Sequence, residues 1–149
     1  MIRFGFIGTG RISDWVFKGA SEDPRIKVTA ICSRTEEAAK AFIARYPEMT
    51  GARIYTSVED MANDPDIDAI YIGTPNQTHH NYAITALNAG KHVLCEKPFS
   101  ISGDEAREMA AAARDNGKLL MEAMISTFNP NFRAFANHIG NVAPLRQYH

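Results

Sequence analysis

The strongest constraint on the fold is the order of short apolar runs along the chain. IRFGFI (2–7), KVTAIC (27–32), IDAIYI (67–72), HVLCE (92–96) and KLLMEAM (118–124) are short, rich in β-branched or aromatic residues, and bounded by turn formers, which is the pattern of strands. RIY (53–55) is a weaker one. The runs are continuously apolar rather than alternating, as in strands covered on both faces. Between them lie helical segments. Ser33 with Glu36, Thr56 with Glu59 and Ser102 with Glu105 have capping-box spacing, and Gly90 and Gly117 fall where a left-handed helix end is wanted. Tyr82, Ala83, Ala86 and Leu87 form one apolar helix face. Strand and helix in repeated alternation predict an α/β fold: a doubly wound parallel sheet with helices on both faces.

With 149 residues, 45% of them hydrophobic, the chain can bury its own core. A net charge of −1 with scattered Lys and Arg gives no footprint for nucleic acid or an anionic membrane. Cys32 and Cys95 sit in apolar runs without CxxC spacing and read as buried free thiols of a reducing compartment. The opening MIRFGFIGTG is too short in apolar length for a signal peptide or a span, so a cytoplasmic protein is expected. His79 and His80 have no carboxylate at ligand spacing, and no metal site is expected.

FIGTGRIS follows the first strand and opens a helix. In that context Gly8 permits the tight turn, Gly10 lets backbone approach a pyrophosphate, and Ser13, small at the third position of G-x-G-x-x-G, lets helix and strand pack closely. The amides around Thr9, Arg11 and Ile12 would face the phosphates at a helix N-terminus. A dinucleotide is therefore the expected ligand. An NAD site carries an acid ~20 residues beyond the glycines. Here that region reads Cys32, Ser33, Arg34, with no acid until Glu36. Ser33 and Arg34 suit a phosphate, so NADP(H) is preferred over NAD(H). The alternative is that Ser33 only caps the next helix and Arg34 is solvated.

HVLCEKPFS places Glu96 and Lys97 at the mouth of a buried strand that Pro98 must end, and Lys97–Pro98 is a candidate cis bond. Ligands of doubly wound sheets sit at such carboxyl ends, although charges at strand ends are also simply solvated. Glu96 reads as a partner of Lys97 or of a cofactor ribose hydroxyl. GTPNQTHH ends the preceding strand: Gly73, Thr74 and Pro75 form a turn, Asn76 is a reasonable N-cap, His79 has a packing or hydrogen-bonding role, and His80 is exposed. Trp15 and Phe17 read as core or interface aromatics, Glu122 as a partnered or edge-supporting carboxylate, and Met109, Met121 and Met124 as core filler.

Together, FGFIGTGRIS, DAIYIGTPNQTHHNYAITALNAGKHVLCEKP and LLMEAM with its following F and P resemble the Gfo/Idh/MocA oxidoreductases over residues 2 to 135, with the dihydrodiol-dehydrogenase branch nearest at the last segment. The resemblance implies a Rossmann domain over residues 1–125, with 126–149 as a connecting helix and the start of a second, substrate-binding domain that is essentially absent. It implies hydride transfer between the nicotinamide and a sugar, cyclitol or related alcohol or ketone. Lys97 would be the catalytic lysine, and Thr74, Pro75 and Asn76 would line the dinucleotide cleft. A histidine from the second domain supplies acid/base chemistry in the family, so this chain is expected to be inactive alone. Two further expectations are a small-molecule partner and homo-oligomerisation, through the stripe Phe132, Phe135, Ala136, Ile139 and the terminal PLRQYH. The competing reading is a non-catalytic dinucleotide-binding regulator or sensor.

Overall fold

A computed structural model describes residues 1–138. Its strands are β1 (Ile2–Ile7), β2 (Ile26–Cys32), β3 (Arg53–Tyr55), β4 (Ala69–Ile72), β5 (His92–Cys95) and β6 (Leu120–Glu122). They form one six-stranded sheet in the order β3-β2-β1-β4-β5-β6, and every pairing is parallel. The helices are α1 (Arg11–Ser21), α2 (Glu36–Ile43), α3 (Val58–Ala62), α4 (His79–Asn88), α5 (Gly103–Asp115), α6 (Ile125–Phe128) and α7 (Pro130–His138). The expected doubly wound sheet is present, and its strand order reverses between β1 and β4.

Alternate residues of each strand face opposite sides, so the continuous apolar runs supply two cores. On one side Ile7, Cys32, Ile70, Ile72, Val93 and Cys95 pack with residues of α3, α4 and α5. On the other, Phe6, Val28, Ile31 and Tyr71 pack with Phe17 of α1 and Ala39 and Phe42 of α2. The Phe6 and Tyr71 rings lie 4.7 Å apart, centroid to centroid.

The strands are shorter than their apolar runs where other backbone bonds compete. The Ile67 amide donates to Asp64 O in a turn, and the Lys118 amide donates to Ala113 O at the end of α5. Gly90 (φ 76°) and Gly117 (φ 62°) close α4 and α5 in left-handed conformations as expected. Two caps differ from expectation. Thr35, not Ser33, caps α2 by accepting from the Ala38 amide. Ser57, not Thr56, caps α3 by accepting from the Asp60 amide. Ser102 caps α5 as expected, at the Glu105 amide.

Phe17 is core, but Trp15 is 60% exposed. Met109 is buried, whereas Met121 and Met124 are exposed rather than core filler. Phe128, Phe132 and Phe135 on α6 and α7 are also exposed. Ile139 and PLRQYH lie outside the described residues.

Candidate functional site

The register of the sheet puts the expected site residues in one row. Ile7 pairs with Cys32 and with Ile72, Ile72 with Cys95, and Cys95 with Glu122. The ladder then runs one step past the strands. The Gly8 amide donates to Cys32 O at 2.9 Å, Ser33 to Tyr55 O at 3.0 Å, Gly73 to Ile7 O at 2.9 Å and Glu96 to Ile72 O at 3.0 Å. The four turns therefore leave the carboxyl edge of the sheet side by side, across the point where strand order reverses. That crevice is where ligands of open α/β sheets bind.

Gly8 and Gly73 approach each other most closely. Gly8 has φ +103°, and a Cβ built on it would stand 2.4 Å from Gly73 O. Gly10 is different: its φ is −78°, which any residue adopts, and a Cβ on it meets nothing within 4 Å among the described residues. Gly10 and Arg11 are exposed at the start of α1, where the first amides have no partner inside the helix. The chain thus presents free N–H donors on an open face with no side chain in the way, a cradle that fits a pyrophosphate.

Releasing Ser33 from the cap has a consequence. Its Oγ lies 3.5 Å from Thr9 Oγ1, so the end of β2 and the glycine turn present adjacent hydroxyls. Arg34 beside them is exposed.

Glu96 is buried, at 4% exposure. It is not ion-paired with Lys97, whose ammonium forms no salt bridge among the described residues. Instead Tyr71 Oη donates to Glu96 Oε1 at 3.1 Å, and the Lys97 amide donates to Oε2 at 3.2 Å. Burial, reinforced by the Glu96 charge, pushes the Tyr71 phenol far above its ordinary range, so it remains a donor. Ser13, at the third position of the glycine motif, is fully buried, and its Oγ lies with Tyr71 Oη directly beneath Gly73. Lys97 is exposed at the edge, ahead of a cis Lys97–Pro98 bond.

Asn76 does not cap α4. It begins a short 3₁₀ turn over Asn76–Thr78, which Thr78 braces by donating to Pro75 O at 2.7 Å. The Asn76 side chain is consequently exposed at the edge. His79 is completely buried, with Nδ1 2.9 Å from Pro98 O and Nε2 2.9 Å from Thr74 O. His80 is only partly exposed, because its Nε2 meets Glu108 Oε2 on α5 at 2.8 Å. Glu122 Oε1 accepts from the Phe99 amide at 2.9 Å.

Sequence reasoning missed Tyr71 and the specific parts of Ser13 and His79. The only signal in the sequence was a hydroxyl inside an otherwise aliphatic strand. A separate cavity of about 330 Å³ lies at the opposite edge of the sheet, lined by Arg3, Lys27, Glu48, Arg53 and Asp66 among others. Its arginines are already paired with Asp64, Asp66 and Asp68. No helix among the described residues is long and apolar enough to cross a membrane.

The chain is 40% identical over 148 residues to a scyllo-inositol 2-dehydrogenase (NADP(+)), IolU, of Bacillus subtilis, a match that takes in 99% of this chain and 44% of that protein. It is 39% identical over 132 residues to the trans-1,2-dihydrobenzene-1,2-diol dehydrogenase of Xenopus laevis, covering 86% of this chain and 38% of that one. Among solved structures, the 3-ketoreductase KijD10 from Actinomadura kijaniata, in complex with NADP and TDP-benzene, superposes with a TM-score of 0.85 at 34% identity, over 94% of this chain and 42% of that one. The chain thus spans less than half the length of these relatives. Residues 2–124 match the family model described as oxidoreductase family, NAD-binding Rossmann fold. The chain belongs to that family, the Gfo/Idh/MocA oxidoreductases.

Proposed function

We propose that this chain is the cofactor-binding part, residues 1–125 with a connector beyond, of an NADP-preferring oxidoreductase. The whole enzyme moves a hydride between the nicotinamide and a sugar, cyclitol or related alcohol or ketone. The observation that carries the cofactor reading is the row of turns with an open amide face at Gly10 and Arg11 and adjacent Thr9 and Ser33 hydroxyls.

In this reading the amides of Thr9 through Ile12 hold the pyrophosphate. Ser33 and Arg34 take the ribose 2′-phosphate, since Ser33 has no capping duty and no acid stands at the end of β2. Thr74, Pro75 and Asn76 form the wall across the crevice. The nicotinamide supplies or accepts the hydride when bound. Lys97, extending from the carboxyl edge, donates a hydrogen bond to the reacting oxygen and stabilises the charge that develops there. Glu96 holds the Lys97 amide and a cofactor ribose hydroxyl is within its remit. The substrate pocket and the partner acid or base belong to the remainder of a protein of the relatives' length, so the chain alone binds cofactor without turnover. The buried thiols of Cys32 and Cys95 suit the reducing cytoplasm. The exposed apolar residues from Met121 to Phe135 suit association, with that remainder or with further copies.

Fluorescence titration of the chain with NADPH and NADH tests the assignment. The expected result is saturable binding with NADPH favoured, and loss of that preference in R34A by about tenfold, the scale of one charge-assisted hydrogen bond. NADH binding tenfold tighter than NADPH would overturn the preference, and binding of neither by the folded chain would overturn the cofactor site.

A further inference from the structure

The polar backbone of the turn carrying Lys97 is held by side chains from three different elements. Glu96, at the end of β5, accepts from the Lys97 amide at 3.2 Å. Glu122, on β6, accepts from the Phe99 amide at 2.9 Å. His79, on α4, meets the Pro98 carbonyl at 2.9 Å. Of the three, only His79 also reaches a second turn. Its second ring nitrogen meets the Thr74 carbonyl, also at 2.9 Å, in the turn that follows β4. One buried ring therefore bridges the two turns that flank the crevice on the nicotinamide side.

We propose that His79 is a positioning residue of the cofactor cleft: its ring sets the spacing between the Thr74–Pro75 turn and the Lys97–Pro98 turn before the cofactor arrives. The inference rests on the cofactor reading above and goes one residue beyond it. Carbonyl oxygens only accept, so the turn the ring bonds is held by a ring N–H, and the other carbonyl lies against the second nitrogen. A neutral imidazole has one N–H and the doubly protonated ring has two. No aliphatic side chain can make either bond. A leucine at this position fills the volume but offers neither carbonyl a donor, and the turns are then free to separate. A glutamine keeps N–H donors on a flat polar group and can still bond one of the carbonyls.

A side chain that merely packs beneath α4 would affect stability and leave the folded protein's affinity alone. His79 should affect both. The chain is compared with its H79Q and H79L variants by thermal unfolding, NADPH titration and amide NMR. Folded H79L is expected to bind NADPH about tenfold more weakly, the scale of one lost hydrogen bond, with H79Q recovering most of the loss. In both variants the amide signals of Thr74, Lys97 and Phe99 should shift, while those of Gly10 and Ser33 stay in place. H79L with wild-type affinity, or shifts confined to α4, would overturn the proposal. Should H79L fail to fold, the H79Q amide shifts decide: movement in both turns supports the bridge, and movement in one or neither overturns it. If the wild-type chain binds no NADPH, the cofactor reading fails, and the amide shifts still report whether His79 ties the two turns together.

Discussion

The two glycines of the first turn separate what the fold needs from what a cofactor needs. At Gly8 an alanine meets two obstacles. Its φ of +103° lies in a region that L side chains rarely adopt, a strain of about 1–3 kcal/mol. Its Cβ would also stand 2.4 Å from Gly73 O, and because backbone cannot swing aside, relief requires overpacking shifts of about 1–3 kcal/mol. A domain of this size has about 5–15 kcal/mol in hand, and each kcal/mol moves its midpoint by about 2–4 °C. G8A should therefore lower Tm by roughly 5–20 °C. At Gly10 neither obstacle exists, with φ −78° and open space around the added methyl. Alanine there is a poorer N-cap but also a less flexible unfolded chain, and these opposed effects leave stability within about 1 kcal/mol of wild type. The methyl does, however, stand on the face where phosphate oxygens must approach the amides. G10A should fold normally and bind NADPH at least about tenfold more weakly, a loss of about 1.4 kcal/mol. Circular dichroism melts and NADPH titration of both variants give the four numbers needed. If G10A melts as low as G8A, or binds NADPH like wild type, the assignment of Gly10 to cofactor approach is wrong.

Other perturbations probe the chemistry and the scaffold. In a protein carrying this chain together with its substrate-binding part, K97M should cut turnover by about 10²–10³-fold, the usual weight of one donor to a developing oxyanion, while the affinity for NADPH changes little; equal losses in both would place Lys97 in cofactor binding alone. Arg3 donates from its amide and guanidinium to Asp68, which lowers the Asp68 carboxyl to about 2. Because the unfolded carboxyl takes up its proton at about 3.9, this contact stabilises the fold above that pH and is lost as pH falls toward 2. Acid melts of D68N should accordingly fall less steeply between pH 4 and 2 than those of wild type, and identical slopes would refute the contribution. Burial pushes the Cys32 thiol up to about 11 and the Cys95 thiol up to about 12. Both should resist iodoacetamide at pH 8 in the native chain and react fully in denaturant, whereas rapid native labelling of either would contradict its buried placement.

What the sequence determined by itself is local and periodic. The alternation of buried runs with helical segments implies parallel strands, and it needs no knowledge of which strand lies beside which. The Gly8–Gly10 spacing belongs to one turn of backbone, and the Ser102 cap with Glu105 spans a single helical turn. Such features rest on bonds between near neighbours, so spacing alone reveals them. Where two neighbours competed, spacing did not decide. Ser33 and Thr35 could both have capped α2. Tertiary structure settled the matter, because the Ser33 amide is drawn into the sheet by Tyr55 O and helix entry shifts two residues on. That shift brings Ser33 Oγ to Thr9 and converts a capping residue into a candidate phosphate ligand. Burial within α1 was likewise decided by tertiary structure: Phe17 meets Phe6 of the sheet and Phe42 of α2, while Trp15 points outward under Arg11. The partners of Glu96 and His79 were out of reach for the same reason. Tyr71 is 25 residues from Glu96 and Pro98 is 19 from His79. They meet only because β4 and β5 lie side by side in register, so that consecutive turns leave the sheet at the same height.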